Sequence, residues 1–229
     1  MIRQEIKRKY LLSFYLFIWL CYNSIVKSHL LVSIQNKYQP LELFLMSDLH
    51  DKTMTDAAVK EELLRLTKTG QIERFSYGVY FLPGNGEPNA IKAIELRYIQ
   101  NGDDVFGFYT GSSFISFVLG RTPSLDSKIE IMTNRATSGK KSVYMFSKRF
   151  ILRKPYFEIA KENVSLNAFL SYISMTGLND IKANYSVLAN YIRKEHLSAN
   201  DVMATTDSFP SKTASKLLAT DLYRSLWKH

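Results

Sequence analysis

The chain has one cysteine in 229 residues, Cys21. A lone thiol excludes an intramolecular disulfide framework and a zinc cluster. Cys21 sits in an apolar run and reads as a small buried hydrophobe, in keeping with a reducing, cytoplasmic setting. Histidine is nearly as scarce. His29, His50, His196 and His229 stand far apart, none at ligand spacing with another, so no metal site is expected. The stretch Gly107-Phe108-Tyr109-Thr110-Gly111-Ser112-Ser113 lacks the glycine spacing and the lysine of a phosphate-cradling loop and reads as a strand-to-helix turn. A Gly-Ser pair before a helix is also found in nucleotidyltransferases, but the paired metal-binding carboxylates such enzymes need do not follow. Asp103 and Asp104 read as loop carboxylates. Neither catalysis nor a cofactor is expected. There is no internal repeat and no low-complexity tract.

Acidic residues are the other shortage: 21 Asp and Glu against 30 Lys and Arg give a net charge of +9. That surplus fits an acidic partner, whether nucleic acid, an anionic membrane or an acidic protein. A hydrophobic content of 46% with 22% charged residues is that of a globular chain rather than a disordered one. No apolar run reaches the ~20 residues of a spanning helix, although Tyr10 to Val26 approaches the lower limit. The basic MIRQEIKRK and apolar YLLSFYLFIWLCY imitate a signal peptide, but no small-residue cleavage site follows. Residues 1–24 therefore admit three readings: a start upstream of the biological one, a packing helix, or a membrane anchor. Of these, the anchor is the least favoured.

The most organised stretch runs from Thr53 to Pro83, TMTDAAVKEELLRLTKTGQIERFSYGVYFLP. Thr53 and Thr55 are candidate helix caps, since a threonine oxygen accepts from the exposed N–H groups of a first turn. Val59, Leu63 and Leu66 recur at helical spacing, and Gly70 is the expected left-handed stop. Ile72 and Phe75 lie on one following run and Val79 and Phe81 on the next, with Ser76-Tyr77-Gly78 as the turn. At about 100° per residue, the apolar stripe turns Ala57, Lys60, Glu61, Leu64 and Lys68 outward. A helix closing on glycine and followed by a two-stranded ribbon is the second half of a winged helix-turn-helix. Such a helix enters the major groove while the ribbon tip reaches the backbone or minor groove. Candidate DNA contacts are Lys52, Thr53, Thr55, Ala57, Lys60, Lys68, Arg74 and Tyr77. The bland alternative is an ordinary solvated helix, because from Lys52 to Arg74 the charges nearly cancel, leaving +1.

The segment LLRLTKTGQIERFSYGVYFLP resembles the winged helix of the AbiEi-type antitoxins of bacterial type IV toxin–antitoxin systems and of related transcriptional regulators. The likeness continues through GFYTGSSFISFVLGRTPSLDSKIEIMTN to SLNAFLSYISM, most of the chain after the N-terminal segment. It implies an N-terminal winged helix that represses its own operon and a C-terminal domain needed for antitoxin activity. The functional partner it implies is a nucleotidyltransferase-like toxin encoded nearby.

Ahead of the helix, Ile25 to Lys37 is the candidate first helix, Leu43-Phe44-Leu45 a short strand beside the wing, and Ser47-Asp48-Leu49 the start of a short second helix. Glycine and proline are few, 10 and 6, yet two of each gather in Pro83-Gly84-Asn85-Gly86-Glu87-Pro88. That punctuation predicts a winged domain over 25–83, a linker at 84–88 and a second domain over 89–229. In the second domain, Ala90 to Ile99 and Ser112 to Val118 read as helices. Asp104 to Phe108, Lys128 to Thr133, Ser142 to Phe146 and Phe150 to Lys154 read as strands. Ser165 to Met175, Tyr185 to His196 and Ser211 to Trp227 form a helical tail. The expected fold is thus α+β: a winged helix-turn-helix, then a mixed α/β domain with helices at its end.

Most of the positive charge lies in this second domain. Lys128, Arg135, Lys140, Lys141, Lys148, Arg149, Arg153 and Lys154 stand against Glu130 alone, leaving +7 of the overall +9. Tyr144, Phe146, Phe150, Tyr156 and Phe157 interleave with them, as base-stacking aromatics do on single strands. The favoured alternative is one buried face of a sheet, with the cations on the solvated face. Such a face can meet DNA, RNA or an acidic protein surface. The reading that follows is a DNA-binding repressor and antitoxin-type regulator acting on double-stranded operator DNA. In it the Lys60 helix and the Tyr77 wing select sequence and the cluster supplies affinity. The alternatives are a module that neutralises an enzyme partner through protein contacts, and a membrane-tethered regulator.

Overall fold

A computed structural model describes residues 28–49, 54–124, 126, 128–145 and 148–227. The N-terminal segment with Cys21, and with it His50, Lys52, Thr53, Phe146, His229 and the side chain of Lys148, lie outside the described residues. The chain has a mixed α+β architecture and divides into two compact units, Met1–Pro88 and Asn89–His229. Among the described residues, no helix is long and apolar enough to cross a membrane.

The first unit begins with α1 (His29–Lys37), whose N-terminus is capped by the Ser28 hydroxyl accepting from the Leu31 N–H. Strand β1 (Leu43–Leu45) follows and runs straight into a 3-10 turn at Met46–Leu49. The short second helix expected from Ser47 begins as this 3-10 turn, and its continuation over residues 50–53 lies outside the described residues. The Asp48 carboxylate accepts from the Leu45 N–H at 2.9 Å, a local bond that favours a turn over helix propagation. Helix α2 (Asp56–Lys68) is capped by Thr55, whose hydroxyl accepts from the Ala58 N–H. Its Val59, Leu63 and Leu66 are buried against Leu30, Leu31 and Ile34 of α1 and the aromatic pair Phe44 and Tyr80. Fully burying each such side chain contributes about 1.5–3 kcal/mol. Strands β2 (Glu73–Ser76) and β3 (Val79–Phe81) form the hairpin, and β1 pairs with β3 to complete a three-stranded sheet. Gly78 takes φ +74° in the connecting turn with nothing within 4 Å of a built Cβ. Glycine is needed there for its backbone and not for space.

The second unit is a sheet with helices on both faces. Helix α3 (Ala90–Tyr98), capped by the Asn89 side chain accepting from the Ile91 and Lys92 N–H groups, leads into a small hairpin of β4 (Gln100–Asn101) and β5 (Asp104–Val105). The single strand expected over Asp104 to Phe108 is thus divided. Its first part turns back on β4 across Gly102-Asp103, and its second part is β6 (Gly107–Thr110) of the main sheet. Helix α4 (Ser112–Val118) follows, then β7 (Ile129–Thr133), β8 (Lys140–Met145) and β9 (Lys148–Arg153). The strand order is β6-β7-β9-β8, with β7 and β9 parallel and the other pairs antiparallel. Side-chain alternation gives the sheet two distinct faces. One carries Phe108 and Met132 into the core shared with the C-terminal helices; the other carries Tyr109, Ile131, Phe150 and Leu152 against Ile91 and Ile94 of α3. Gly107 lies where α3 ends: a Cβ there would sit 2.0 Å from the Tyr98 carbonyl oxygen.

The helical end comprises α5 (Val164–Met175), α6 (Leu178–Ala183), α7 (Tyr185–Lys194), α8 (Ala199–Thr206), α9 (Lys212–Ala219) and α10 (Leu222–Leu226). Three features depart from expectation. Helices α6 and α8 carry no strong periodic signal, and α7 stops short of His196, which adopts φ +52°. The single helix expected over Ser211 to Trp227 is broken, because the Thr220 hydroxyl bonds back to the Lys216 carbonyl and Asp221 turns left-handed at φ +57°. Within α9, the Lys216 ammonium donates to the carbonyls of Ile173, Ser174 and Thr176, closing the C-terminus of α5.

Candidate nucleic-acid interface

Helix α2 divides sharply into an inner and an outer face. Ala57, Lys60, Glu61, Leu64 and Lys68 are all exposed, as the helical spacing predicted, while Val59, Leu63 and Leu66 are buried. Leu64 is 55% exposed. An apolar side chain of that size held out among cations suits contact with a base methyl or a sugar. Glu62 does not join this surface, because both its oxygens bond Arg65, at 2.6 and 2.8 Å. The same bonds hold the Glu62 carboxyl below its usual range. Arg65 is thereby tied up within the helix.

The hairpin tip is the second part of the candidate surface. Tyr77 is 71% exposed, and the Arg74 guanidinium lies over its ring, 5.2 Å from the centroid. The Arg74 Nε donates to the Ser76 carbonyl at 3.3 Å, which holds that side chain along the turn. A register shift between Arg74 and Ser76 bends β2 and aims the tip. Behind the tip, Phe75 meets Phe81 edge-on at 6.1 Å, so the exposed pair stands on a packed base.

The basic cluster of the second unit does not form one patch. Strand register separates it across the sheet: Lys140, Ser142, Tyr144, Arg149 and Arg153 share one face, while Lys141 lies opposite Leu152 on the other. On the first face, Glu130 is buried between Lys128 and Arg153, with the Arg153 Nε at 3.4 Å. Burial alone would push the Glu130 carboxyl up, but the bonds and charges of these two partners outweigh it and hold it below its usual range. Lys128 and Arg153 thus share the single Glu130 charge, two cations against one carboxylate. Lys140 lies on the edge strand β8 and Arg149 on the neighbouring β9, where the Arg149 Nε donates to the Ser142 hydroxyl at 3.0 Å and Tyr144 is 71% exposed. Lys154 is exposed just beyond β9.

On the other face, Arg135 lies with its guanidinium 3.6 Å from the centroid of Phe106 and donates to the Arg97 carbonyl. Lys141 lines the same cleft as Arg97 and Arg135. Neither Arg97 nor the cleft was signalled by the charge run, because Arg97 lies far upstream and only the fold brings α3 over this face. The aromatic expectation is likewise corrected. Phe150 is buried, but Tyr144 is exposed on the opposite face, and Tyr156 is half-exposed while packing on Phe209 at 4.7 Å. The residues do not make one buried stripe.

Asp103 is almost fully exposed and pairs with Lys161 at 3.1 Å. Among the described residues, no group of three or more His, Cys, Asp or Glu side chains is placed to hold a metal ion. No family model matches the chain, and no curated protein matches it either.

Proposed function

We propose that the chain is a DNA-binding transcriptional regulator whose first unit works as a winged helix-turn-helix. The observation that carries this reading is the pairing of an exposed α2 outer face with a hairpin tip presenting Arg74 over Tyr77. The order α1, β1, 3-10 turn, α2, β2, β3 supports it, because it follows the element order of that fold with a 3-10 turn standing where the middle helix starts. In this reading Ala57, Lys60, Leu64 and Lys68 meet the major groove, Thr55 lies at the helix start near the phosphates, and Tyr77 and Arg74 contact the flanking backbone or minor groove. The exposed Lys140, Arg149 and Tyr144 add a non-specific contribution. The resemblance to AbiEi-type antitoxins extends the proposal to repression of the chain's own operon and functional pairing with a nucleotidyltransferase-like toxin, in the cytoplasm and without catalysis or cofactor of its own.

A gel-shift series with the DNA upstream of the gene tests the reading directly. Retention of that DNA at concentrations that leave random duplex unbound is the expected result; equal affinity for both sinks operator recognition. A second reading, neutralisation of a protein partner, is favoured by one observation. Met203, Leu218 and Trp227, all in the helical end, are each more than 60% exposed, large apolar side chains that DNA does not need. Loss of toxin neutralisation on substituting Leu218 and Trp227, with gel shifts unchanged, would mark those residues as the protein-binding surface.

A further inference from the structure

The cleft beneath α3 lies wholly within the second unit. It measures 280 Å³ and is lined by Arg97, Tyr98, Arg135, Ala136, Thr137, Lys141, Val143 and Leu152. Three of these are cations and, among the described residues, no carboxylate lines it. We propose that this cleft binds a phosphate monoester carried on a nucleoside, either a free mononucleotide or the phosphorylated end of a strand.

Its chemistry divides in two. Arg97, Arg135 and Lys141 contribute the cations of the lining, with the Thr137 hydroxyl as a further donor. Ala136, Val143 and Leu152, with the Tyr98 ring, contribute its apolar part. Guanidinium groups suit the ligand because their planar forks match two phosphate oxygens at once. The Tyr98 ring and the aliphatic side chains then provide a face for the ring that the phosphate carries.

The site is preorganised. The Arg135 guanidinium is held twice, by its stacking on Phe106 and its bond to the Arg97 carbonyl. Lys141 and Leu152 are direct partners across β8 and β9, so the register sets the lysine beside the apolar part of the lining. A guanidinium already held in place loses little rotamer entropy on binding. The size sets the ligand class, since 280 Å³ lies at the small end of ligand pockets and accommodates a single nucleotide rather than a dinucleotide. None of this depends on the winged-helix reading: the cleft and the hairpin share no residue, and each fails or survives separately.

Isothermal titration of the full chain with adenosine monophosphate, inorganic phosphate and adenosine provides the test. Adenosine monophosphate should bind more tightly than either fragment. Lys141→Gln, an exposed position whose substitution leaves the fold intact, should weaken it about tenfold, the loss of one charge-assisted bond. Arg135→Gln should weaken it at least as much, and Lys194→Gln, the same charge change at a distant exposed site, should not. A pair of short oligonucleotides with and without a terminal phosphate separates the sources. Binding of the phosphorylated strand alone assigns the strand end, and equal binding of the free nucleotide assigns the mononucleotide. The proposal is overturned if neither the nucleotide nor the phosphorylated strand binds, or if Lys194→Gln and Lys141→Gln weaken binding equally.

Discussion

The Arg74 guanidinium rests over the Tyr77 ring, 5.2 Å from its centroid, at the tip of the only hairpin among the described residues of the first unit. A cation held over an exposed ring presents charge and π-surface together, and at exposed sites such a pair is worth about 0.5–1 kcal/mol. That is too little to explain why a large aromatic stands in solvent. The proposed contact with DNA would use that exposed ring.

Tyr77→Ala should therefore leave the melting temperature nearly unchanged while reducing the ratio of operator to random-DNA affinity by about tenfold. Lys60→Gln should act in the same direction from the helix. Competition binding on both DNAs measures the ratio, and an unchanged ratio in both variants would remove α2 and the wing from recognition.

Salt dependence separates affinity from selectivity. Because Glu130 engages both Lys128 and Arg153, and Lys141 lies on the other face of the sheet, Lys140 and Arg149 are the pair to test on this face. Substituting both with glutamine should weaken binding to every sequence. It should also flatten the log–log salt slope by up to about 0.9 for each phosphate no longer neutralised. A slope equal to wild type assigns this face to a protein partner.

Acid stability should depend on Glu130. Its carboxyl is held below the ordinary value of 4.5, so the folded state binds that proton more weakly than the unfolded chain. The resulting stabilisation is fully present above that value and is lost as pH falls through the lower, folded one. Glu130→Gln should lower stability at neutral pH by about 1.5–3 kcal/mol, the range for hydrogen bonds to charged groups. In urea titrations the gap to wild type should narrow at the acid end; a gap independent of pH would mean that the ion pairs contribute nothing.

Gly107 is a packing requirement. A Cβ at that position meets the Tyr98 carbonyl at 2.0 Å and the Met132 carbonyl at 2.9 Å, both backbone atoms that move only with α3 and β7. Gly107→Ala should cost about 3 kcal/mol. Gly139→Ala, with nothing within 4 Å, should stay within about 0.5 kcal/mol. Comparable melting temperatures for the two variants would show that α3 is not seated against β6.

What sequence alone determined is local. The stripe of Val59, Leu63 and Leu66, the threonine cap, and the glycines ending α2 and turning the hairpin are set by spacing and backbone preference within a few residues. They could be located before any tertiary contact was known, as could the charge surplus between Lys128 and Lys154. What spacing could not determine was which side chains share a surface. Lys140 and Lys141 are neighbours in the chain and lie on opposite faces of the sheet, because a strand alternates its side chains with every residue. Arg97 is distant in sequence yet lines one cleft with Arg135 and Lys141, because α3 packs on that face through Ile91 and Ile94. The break between α9 and α10 is likewise hidden in a continuous helical pattern, since it depends on the backbone geometry of Thr220 and Asp221. Charge and periodicity add along a chain, but a binding surface is assembled across it, and only the register of β8 on β9 and the seating of α3 decided which cations act together.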